Sequence, residues 1–487
     1  MTIDPSLLLP EILVTALALA VLIWDWIVQD KRLLGRIALF GLVLVSGAIG
    51  GQLLAGGGIG TTLAGMFVGD RLGLILRLAI TGSAALVVAL SLDIVCSRPH
   101  AGEFYALLLM AVLGAMFAVS AGDLVQVFLS IELLSLSSYA LAGWFKTDRR
   151  SSEAALKYLL FGGTSSGFFL FGAALLYGIT GSTNLQDIAR ALAHLDPRMG
   201  PMALLAGLLA LAGLSYKVAA VPFHGWCPDV YEGAPVPVAA FLSVGSKIAG
   251  FAVLIRLLTG ALPYLAGDWL VVVAILSVAS MTFGNLAALG QTNVKRMLGY
   301  SSIAQAGYLL LGLVAAANLG TKGLGLAAIV FYLIGYAFMN LGAFAVVALF
   351  AHLTGKEEIR DYAGLGRRNP VMALFMLVCM LSLAGLPPLV GFWGKFYLFS
   401  AVVQYALASA QPAYIWLAVV GVMNSVVSMY YYMKVPKAMY LEKSDGAPLA
   451  ASSALAAVAF VGAVAALALF VFPQPVWDLA MSAVRGF

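Results

Sequence analysis

Long apolar runs separated by short polar stretches fill the chain from end to end. A helix needs about 20 mainly apolar residues to cross a bilayer, and fourteen runs come close to that length. They predict an all-α polytopic membrane protein in which residues 1–487 form a single integral membrane domain. The predicted helices cover residues 7–28, 37–54, 72–95, 103–120, 122–145, 154–180, 201–226, 235–259, 266–290, 297–316, 323–352, 370–405, 412–433 and 449–472.

Two of these predicted helices, the seventh and the twelfth, contain proline. Pro222 interrupts the seventh, and the pair Pro387 and Pro388 interrupts the twelfth. Proline removes a backbone hydrogen bond and clashes with the preceding turn, so we expect both helices to be broken there. The string LAGL precedes both breaks, at residues 211–214 and 383–386.

The two breaks lie five helices apart, so the broken helices cross the membrane in opposite directions. Broken helices at matching places are typical of inverted-topology repeats. We therefore predict two inverted five-helix repeats, helices 4–8 and 9–13, over about residues 103–259 and 266–433.

The basic residues fall mainly on one side of this map. Of the 27 lysines and arginines, sixteen lie in odd-numbered loops, five in even-numbered loops or tails, and six within helices. The positive-inside rule then places the odd loops in the cytoplasm and both termini in the periplasm of a bacterial inner membrane. The sixteen are Lys31, Arg32, Arg36, Arg98, Lys146, Arg149, Arg150, Lys295, Arg296, Lys356, Arg360, Arg367, Arg368, Lys434, Lys437 and Lys443.

Composition supports a membrane protein and gives no sign of a cofactor site. The chain is 62% hydrophobic and 10% charged, whereas soluble domains carry about 25% charged residues. Cys96, Cys227 and Cys379 are far apart in sequence, so we expect no metal site. The glycine-rich Gly56–Gly60 lacks the lysine of a phosphate-binding loop and is interpreted as a flexible loop. The net charge of +5 indicates topology signals rather than nucleic-acid binding.

One carboxylate, Glu132, lies about ten residues into the fifth predicted helix, or about 15 Å from its start. An ionisable group at that depth is costly and marks a functional site by default. A structural carboxylate hydrogen-bonded to Ser130 or Ser135 is the alternative. Glu11 and Asp25 flank the first helix, and Arg77 and Arg256 are near helix ends, so we expect these side chains to snorkel toward the membrane surface.

Four lysines and one histidine also fall within predicted helices. Lys217, Lys247 and Lys395 are deep or beside the breaks, whereas Lys157 is one turn inside and could instead snorkel. Desolvation disfavours the charged form of an ammonium, and a lysine, unlike an arginine, can release its proton. Their depth therefore indicates proton transport. His224, beside Pro222, could relay a proton or simply hydrogen-bond to carbonyls freed by the break.

Several strings carry a family resemblance that covers essentially the whole chain. They resemble the antiporter-like membrane subunits of the proton-pumping NADH:quinone oxidoreductase, respiratory complex I. The strings are KVAAVPFHGWCPDVYEGAPVPVAAFLSVGSKIAGF from Lys217, IELLSLSSYALAGW around Glu132, EAALKYLLFG around Lys157, NVKRMLGYSSIAQAGY near the tenth helix and LAGLPPLVGFWGKFYLF around Lys395.

Two features favour the branch of this family called subunit N. The chain ends soon after the fourteenth predicted helix, so we expect no long lateral helix of the kind that subunit L carries. Lys395 also stands where subunit M has a glutamate. Subunits of sodium/proton antiporters share part of the motifs and remain an alternative.

The resemblance implies a mechanism and a set of partners. Glu132 would pair with Lys217, and protons from the cytoplasm would pass Lys217, Lys247 and Lys395 to the periplasm. Quinone reduction elsewhere in the complex would supply the energy. NADH, flavin, iron–sulfur clusters and quinone would then be bound by partner subunits of the membrane and peripheral arms, and this chain would contact those subunits and lipid. Two other functions stay open, a cation/proton antiporter and a passive structural subunit of the membrane arm.

Overall fold

A computed structural model describes residues 4–96, 100–443, 447–450 and 453–485 of the chain. Arg98, one of the predicted cytoplasmic basic residues, lies outside the described residues. The described part is almost entirely helical. Its α-helices are α1 (Leu9–Ile27), α2 (Lys31–Leu54), α3 (Arg71–Val95), α4 (Ala101–Val119), α5 (Leu124–Ala142), α6 (Arg149–Thr180), α7 (Leu185–Ala193), α8 (Gly200–Lys217), α9 (Trp226–Gly233), α10 (Val236–Phe241), α11 (Lys247–Ile255), α12 (Ala266–Leu289), α13 (Val294–Ala315), α14 (Lys322–Thr354), α15 (Leu365–Arg368), α16 (Pro370–Ala384), α17 (Val390–Ala408), α18 (Ile415–Leu441), α19 (Ser453–Val471) and α20 (Gln474–Ala483).

Shorter elements connect these helices. The strands β1 (Gly60–Thr62) and β2 (Phe67–Gly69) form a small antiparallel hairpin directly after the glycine-rich loop. Two π-helical segments, Leu242–Ser246 and Arg256–Ala261, interrupt the region of α10 and α11. Single 3-10 turns cover Pro197–Met199, Pro263–Leu265, Ile359–Tyr362 and Pro412–Tyr414.

The structure confirms a polytopic helical membrane protein. Among the described residues, thirteen helices are long and apolar enough to cross a bilayer. They correspond to every predicted helix except the twelfth, whose place is taken by α16 and α17 together. The sixth helix begins earlier than predicted, because the Asp148 side chain accepts a hydrogen bond from the Arg150 backbone N–H and caps α6 at Arg149.

The structure has both predicted helix breaks, and the two are built alike. α8 ends with Ala219 in the left-handed conformation, φ 59°, and α16 ends with Gly385 at φ 89°. At the first break the Ala220 N–H donates to Ser215 O, and at the second the Leu386 N–H donates to Leu381 O. Each is the six-residue bond of a Schellman cap, followed two residues later by a cis-proline peptide.

The two LAGL strings, which precede both breaks in sequence, are not structurally equivalent. Ala219 corresponds to Gly385, and Pro222 to Pro388, so the two LAGL strings do not occupy equivalent places. The string at 383–386 contains the cap itself, whereas the string at 211–214 lies inside α8, at least one turn before the cap. The two breaks correspond through a proline and a left-handed residue three positions before it.

The predicted repeat requires equivalent contacts in both halves of the chain. One backbone hydrogen bond and one close helix contact recur in this way. The Leu124 N–H, at the start of α5, donates to Thr183 O, which follows α6. The Val294 N–H, at the start of α13, donates to Glu357 O, which follows α14. A Cβ on Gly114 of α4 would come within 2.5 Å of the α5 backbone, and one on Gly284 of α12 within 2.6 Å of the α13 backbone. The bounds of the repeats stay a prediction.

Two clefts define the two faces of the bundle. One, of about 580 Å³, lies among the loops that follow α5, α12 and α14, and its lining includes Asp148, Lys295 and Glu357. We call this side the basic face, because loops rich in lysine and arginine meet there. A second cleft of about 580 Å³ lies on the opposite face and is lined by Asp70, Arg256 and residues of α7.

The prediction that Glu11, Arg77 and Arg256 snorkel is wrong. Arg77 is 0% exposed, and its guanidinium donates to the Glu11 carboxylate over 3.0 Å between α3 and α1. Arg256 donates to both carboxylate oxygens of Asp70 over 2.9 Å. These residues pair inside the bundle because the folded helices bring a carboxylate to each arginine, which the sequence of one helix cannot reveal.

Candidate functional site

Lys217 is the last residue of α8 and is buried, at 2% exposed. A cation at the carboxyl end of a helix is stabilised by the helix dipole. Its Nζ donates to Ser135 Oγ on α5 over 2.9 Å and lies 5.8 Å from the centre of the Tyr158 ring on α6. Trp226, the first residue of α9, donates through its indole N–H to Tyr216 O over 3.0 Å, so it satisfies one of the carbonyls freed by the break.

Glu132 lies one turn from Ser135 on α5 and is only half-buried. Its carboxylate accepts a hydrogen bond from Ser166 Oγ on α6. The carboxylate and the Lys217 ammonium do not form a direct ion pair in the described structure, because the ammonium donates to Ser135 instead. The hydroxyl partner proposed as the structural alternative exists, but it comes from α6 rather than from Ser130 or Ser135.

Lys247 is the residue at which the first π-helical segment gives way to α11. A π-helical turn widens the helix locally and is often found at functional sites. The side chain is 3% exposed, and its Nζ donates to Ser302 O on α13 over 2.6 Å. The ring centre of Tyr336 lies 5.8 Å from the same nitrogen.

Lys395 lies in the second turn of α17 and is 4% exposed. Its Nζ reaches back across the second break and donates to Ala384 O, the last residue of α16, over 2.8 Å. The same nitrogen lies 4.6 Å from the centre of the Tyr308 ring. Lys217 and Lys395 therefore both hold an ammonium at the carboxyl end of a broken half-helix, where freed carbonyls and the dipole favour it.

Buried hydrogen bonds on α13, which we call the α13 network, lie between Lys247, which donates to Ser302 O, and Lys395, which faces Tyr308. Ser301 shares a hydrogen bond with Tyr432, which in turn accepts from the Gln305 amide over 3.0 Å. Gln305 also donates to Leu383 O, beside the second break. Tyr308, one turn further along α13, accepts from the Asn285 amide over 3.1 Å and faces Lys395.

Ser301, Gln305 and Tyr308 are not among the predicted site residues, although the sequence carries a signal for them. Ser301, Gln305 and Tyr308 recur at helical spacing on one face of a helix that is almost fully buried. Polar side chains buried in this way are nearly always hydrogen-bonded. The pattern could have indicated a polar seam through the centre of the bundle.

Lys157 and His224 lie farther from the centre. Lys157 is 38% exposed at its side chain and pairs with Glu153 over 2.8 Å and with Asp229 of α9 over 2.7 Å. Arg296 of α13 also binds Asp229, over 2.6 Å, so the second half of the first broken helix is tied to α6 and α13. The His224 ring packs against Phe283, with 4.5 Å between ring centres.

No group of three or more His, Cys, Asp or Glu side chains suited to a metal occurs within the described ranges. The site is instead a row of three buried ammonium groups in a bundle of membrane-crossing helices, two of them at helix breaks. These features define a class of membrane protein that handles small cations or protons.

Comparison with known proteins gives the family. Residues 121–428 match the family model described as NADH:quinone oxidoreductase/Mrp antiporter, TM. The chain is 43% identical over 486 residues to NADH-quinone oxidoreductase subunit N of Moorella thermoacetica, covering 99% of this chain and 98% of the relative. It is 44% identical over 445 residues to NAD(P)H-quinone oxidoreductase subunit 2 of a Nostoc species, covering 91% and 83%.

A solved structure agrees with these relatives. A chain of respiratory complex I from Thermus thermophilus with bound aureothin superposes with a TM-score of 0.80 at 34% identity, covering 97% of this chain and 99% of that one. The chain therefore belongs to the NADH:quinone oxidoreductase/Mrp antiporter family of membrane subunits, and its high-coverage relatives are subunits of the quinone oxidoreductases.

Proposed function

We propose that this chain is a proton-translocating subunit in the membrane arm of an NADH:quinone oxidoreductase. The observation that carries the proposal is the row of three buried lysines, Lys217, Lys247 and Lys395, in a chain with only 10% charged residues. Uncompensated ammonium groups at this depth are costly. Lysines, unlike arginines, can exist uncharged and so take up and release protons.

The route runs from the basic face toward the opposite face. Protons reach Lys217 beside Ser135 and Glu132 of α5 and pass to Lys247. From there they reach Lys395 along the α13 network. The positive-inside rule supports a cytoplasmic position for the basic face and a periplasmic position for both termini, in a bacterial inner membrane. Energy comes from quinone reduction in other subunits.

The redox groups of such a complex belong to its partner subunits. We propose that NADH, flavin, iron–sulfur clusters and quinone are bound outside this chain, and that this chain contacts other membrane-arm subunits and lipid. The relatives named as subunits of NADH-quinone oxidoreductase support this assignment. The Nostoc relative is named for NAD(P)H, so the rates of NADH and NADPH oxidation by the purified complex identify its electron donor.

The test replaces each buried lysine by alanine in the intact complex. In proteoliposomes, Lys217→Ala, Lys247→Ala and Lys395→Ala should each reduce proton pumping by at least about tenfold, equivalent to about 1.4 kcal/mol on a rate-limiting step. Assembly is checked by native gel. Lys356→Ala, at a side chain 63% exposed on the basic face, is the control and should pump normally.

Wild-type pumping by all three lysine variants would reject the proposal and favour a passive structural subunit. A second function, cation/proton antiport, is favoured by the family description, which names Mrp antiporters together with the quinone oxidoreductases. If proton movement in proteoliposomes requires a Na⁺ or K⁺ gradient and continues without quinone reduction, antiport is the correct function.

A further inference from the structure

A cleft outside the proposed proton route lies between the loop after α12, the loop between α14 and α15, and the helices α16 and α18. Its volume is about 1010 Å³, whereas typical ligand pockets measure about 300–1,000 Å³. Glu358 lines both this cleft and the polar cleft of the basic face, so the two are neighbours. We call it the α18 cleft.

The deep end of the α18 cleft is apolar. Leu377 of α16 and Met429 and Met433 of α18 line it there. Leu377 lies seven residues, or about 10 Å of helix, inside the start of α16 at Pro370. The cleft therefore extends from the basic face into the apolar part of the bundle and offers room for a long apolar group.

The outer end of the α18 cleft is charged, with an excess of cations. Three basic and two acidic side chains line it, namely Arg360, Lys434, Lys437, Glu358 and Glu442. The Lys434 ammonium already donates to the carbonyl oxygen of Leu289. Arg360 and Lys437 are exposed, and neither has an ion-pair partner in the part of the chain that the structure describes. Two cations at this end are therefore available to an anionic group.

The length of the α18 cleft matches one leaflet of a bilayer. Met429 and Leu441 both line it, and the helix rises by about 18 Å between them. One leaflet contributes about 15 Å of hydrocarbon, whereas a helix that crosses the membrane needs a groove of about 30 Å. Tyr440, which is exposed at the outer end, occupies the level at which aromatic side chains meet the head groups. These dimensions fit a lipid rather than a crossing helix of a partner subunit.

We propose that the α18 cleft binds an anionic phospholipid of the leaflet at the basic face. Its phosphate lies beside Arg360 and Lys437, and an acyl chain lies against Leu377 and Met429. Basic pockets between helices on the cytoplasmic side of a membrane suit such head groups, and a guanidinium can donate two parallel N–H groups to a phosphate. The lipid thereby joins the end of α18 to the loop between α14 and α15. This inference goes beyond the proposed function and does not depend on proton transport.

Two photoactivatable lipids test the site in the intact complex without any mutation. The complex is placed in phosphatidylethanolamine nanodiscs that contain either phosphatidylglycerol, which is anionic, or phosphatidylcholine, which is zwitterionic, each with the same diazirine-labelled acyl chain. After illumination, mass spectrometry of the digested complex locates the label. Phosphatidylglycerol should label the segments around Leu377 and Met429 at least about fivefold more than phosphatidylcholine, a factor that corresponds to about 1 kcal/mol and to one basic residue near the membrane surface.

Neutral variants test the two cations. Arg360→Gln and Lys437→Gln should each lower labelling by phosphatidylglycerol roughly fivefold and leave labelling by phosphatidylcholine unchanged. Arg32→Gln is the matched control, because Arg32 is also exposed in a loop predicted to be cytoplasmic but does not line the α18 cleft. It should leave labelling by both lipids unchanged. Assembly of each variant is checked by native gel.

A bulky substitution tests the apolar end. Leu377→Trp fills space inside the α18 cleft and should lower labelling of the Met429 segment by both lipids. Leu374→Trp is the control, because Leu374 lies about one turn earlier on α16, is 51% exposed and does not line the cleft. It should leave the Met429 segment labelled as in the wild-type complex.

Two results would overturn the inference. Equal labelling of the α18 cleft by both lipids, unchanged in Arg360→Gln and Lys437→Gln, would mean that the cleft contacts bulk lipid and has no preference for an anionic head group. Absence of label from either lipid in the wild-type complex would mean that a partner subunit fills the cleft. Because the measurement is lipid labelling rather than proton pumping, neither result bears on the proposed function, and failure of the proposed function leaves this site standing.

Discussion

Lys395 allows positive charge and proton release to be separated by mutation. Its ammonium donates to the last carbonyl of α16 and lies over the Tyr308 ring. Lys395→Arg keeps the charge but cannot release a proton, whereas Lys395→Ala removes both. If Lys395 relays protons, both variants should reduce pumping in proteoliposomes by at least about tenfold.

Lys434 provides the matched control for this substitution. It also donates to a backbone carbonyl, that of Leu289, and lies 5.7 Å from the centre of a tyrosine ring, that of Tyr430, but it is only half-buried. Lys434→Arg should leave pumping unchanged. Restoration of pumping by Lys395→Arg, but not by Lys395→Ala, would mean that Lys395 supplies a fixed positive field and would remove it from the proton path.

At the scale of single residues, the sequence identifies the buried lysines but not the groups to which they donate hydrogen bonds. The depth of Lys217, Lys247 and Lys395 follows from counting along apolar runs, and the structure buries all three. Their acceptors are a side-chain hydroxyl of α5, a carbonyl of α13 and a carbonyl of α16. Which helix supplies an acceptor depends on helix packing, so the direct pair of Glu132 with Lys217 was a natural expectation that this structure does not show.

For single helices, the sequence predicts that a break occurs but not the residue at which the helix ends. Proline predicts that the seventh and twelfth helices break, because a missing N–H and a steric clash disfavour the helix before it. It does not predict that α8 stops at Lys217, five residues before Pro222; the left-handed Ala219 and its Schellman bonds set that point. The π-helical segment before Lys247 contains Gly245, but a single glycine in a long apolar run does not specify a π-helical turn, which depends on packing within the bundle.

The buried pair of Arg77 and Glu11 holds the helices α3 and α1 together, which leads to a prediction about the stability of the complex. Removing one partner of a buried ion pair leaves the other charge unpaired, which typically costs about 3–5 kcal/mol. Arg77→Ala should therefore lower the thermal stability and the yield of the assembled complex, measured by heating the detergent-solubilised complex and following subunit retention on native gels.

A double variant and a surface control test whether the unpaired charge causes the loss of stability in Arg77→Ala. Replacing both partners, with Arg77→Met and Glu11→Leu, removes the unpaired charge and should restore most of the lost stability. Arg190→Ala breaks an exposed pair with Asp187, at side chains 76% and 46% exposed, and should have almost no effect. If the double variant is as unstable as Arg77→Ala, loss of side-chain packing rather than the unpaired charge is responsible.

For the whole molecule, counting apolar runs was enough to predict the architecture. Long apolar segments can be satisfied in lipid only as helices, so their number and order follow from sequence. The small hairpin β1–β2 and the surface helix α7 were not predicted, because they are too short and too mixed in composition to form a recognisable apolar run. Equivalent caps at Ala219 and Gly385 support the predicted repeat more directly than the LAGL strings did.

Orientation in the membrane is the property of the whole molecule that the loop charges predict. Arg149 begins α6 on the basic face, and Asp187 lies on α7 after the chain has crossed. Because α6 has 32 residues, or about 48 Å of helix, the two positions must lie on opposite sides of a bilayer. The positive-inside rule places Arg149 in the cytoplasm and Asp187 in the periplasm.

Single cysteines and a membrane-impermeant maleimide can test this orientation in intact cells. In a background in which Cys96, Cys227 and Cys379 are replaced, Asp187→Cys should be labelled from outside, and Arg149→Cys only after the membrane is permeabilised. Lys356→Cys and Arg198→Cys repeat the comparison at a second pair of positions, because Lys356 borders the basic-face cleft and Arg198 follows α7. Labelling of Arg149→Cys and Asp187→Cys from the same side would contradict the crossing of α6. Labelling of Arg149→Cys alone from outside would reverse the orientation, and with it the direction of proton movement that we propose.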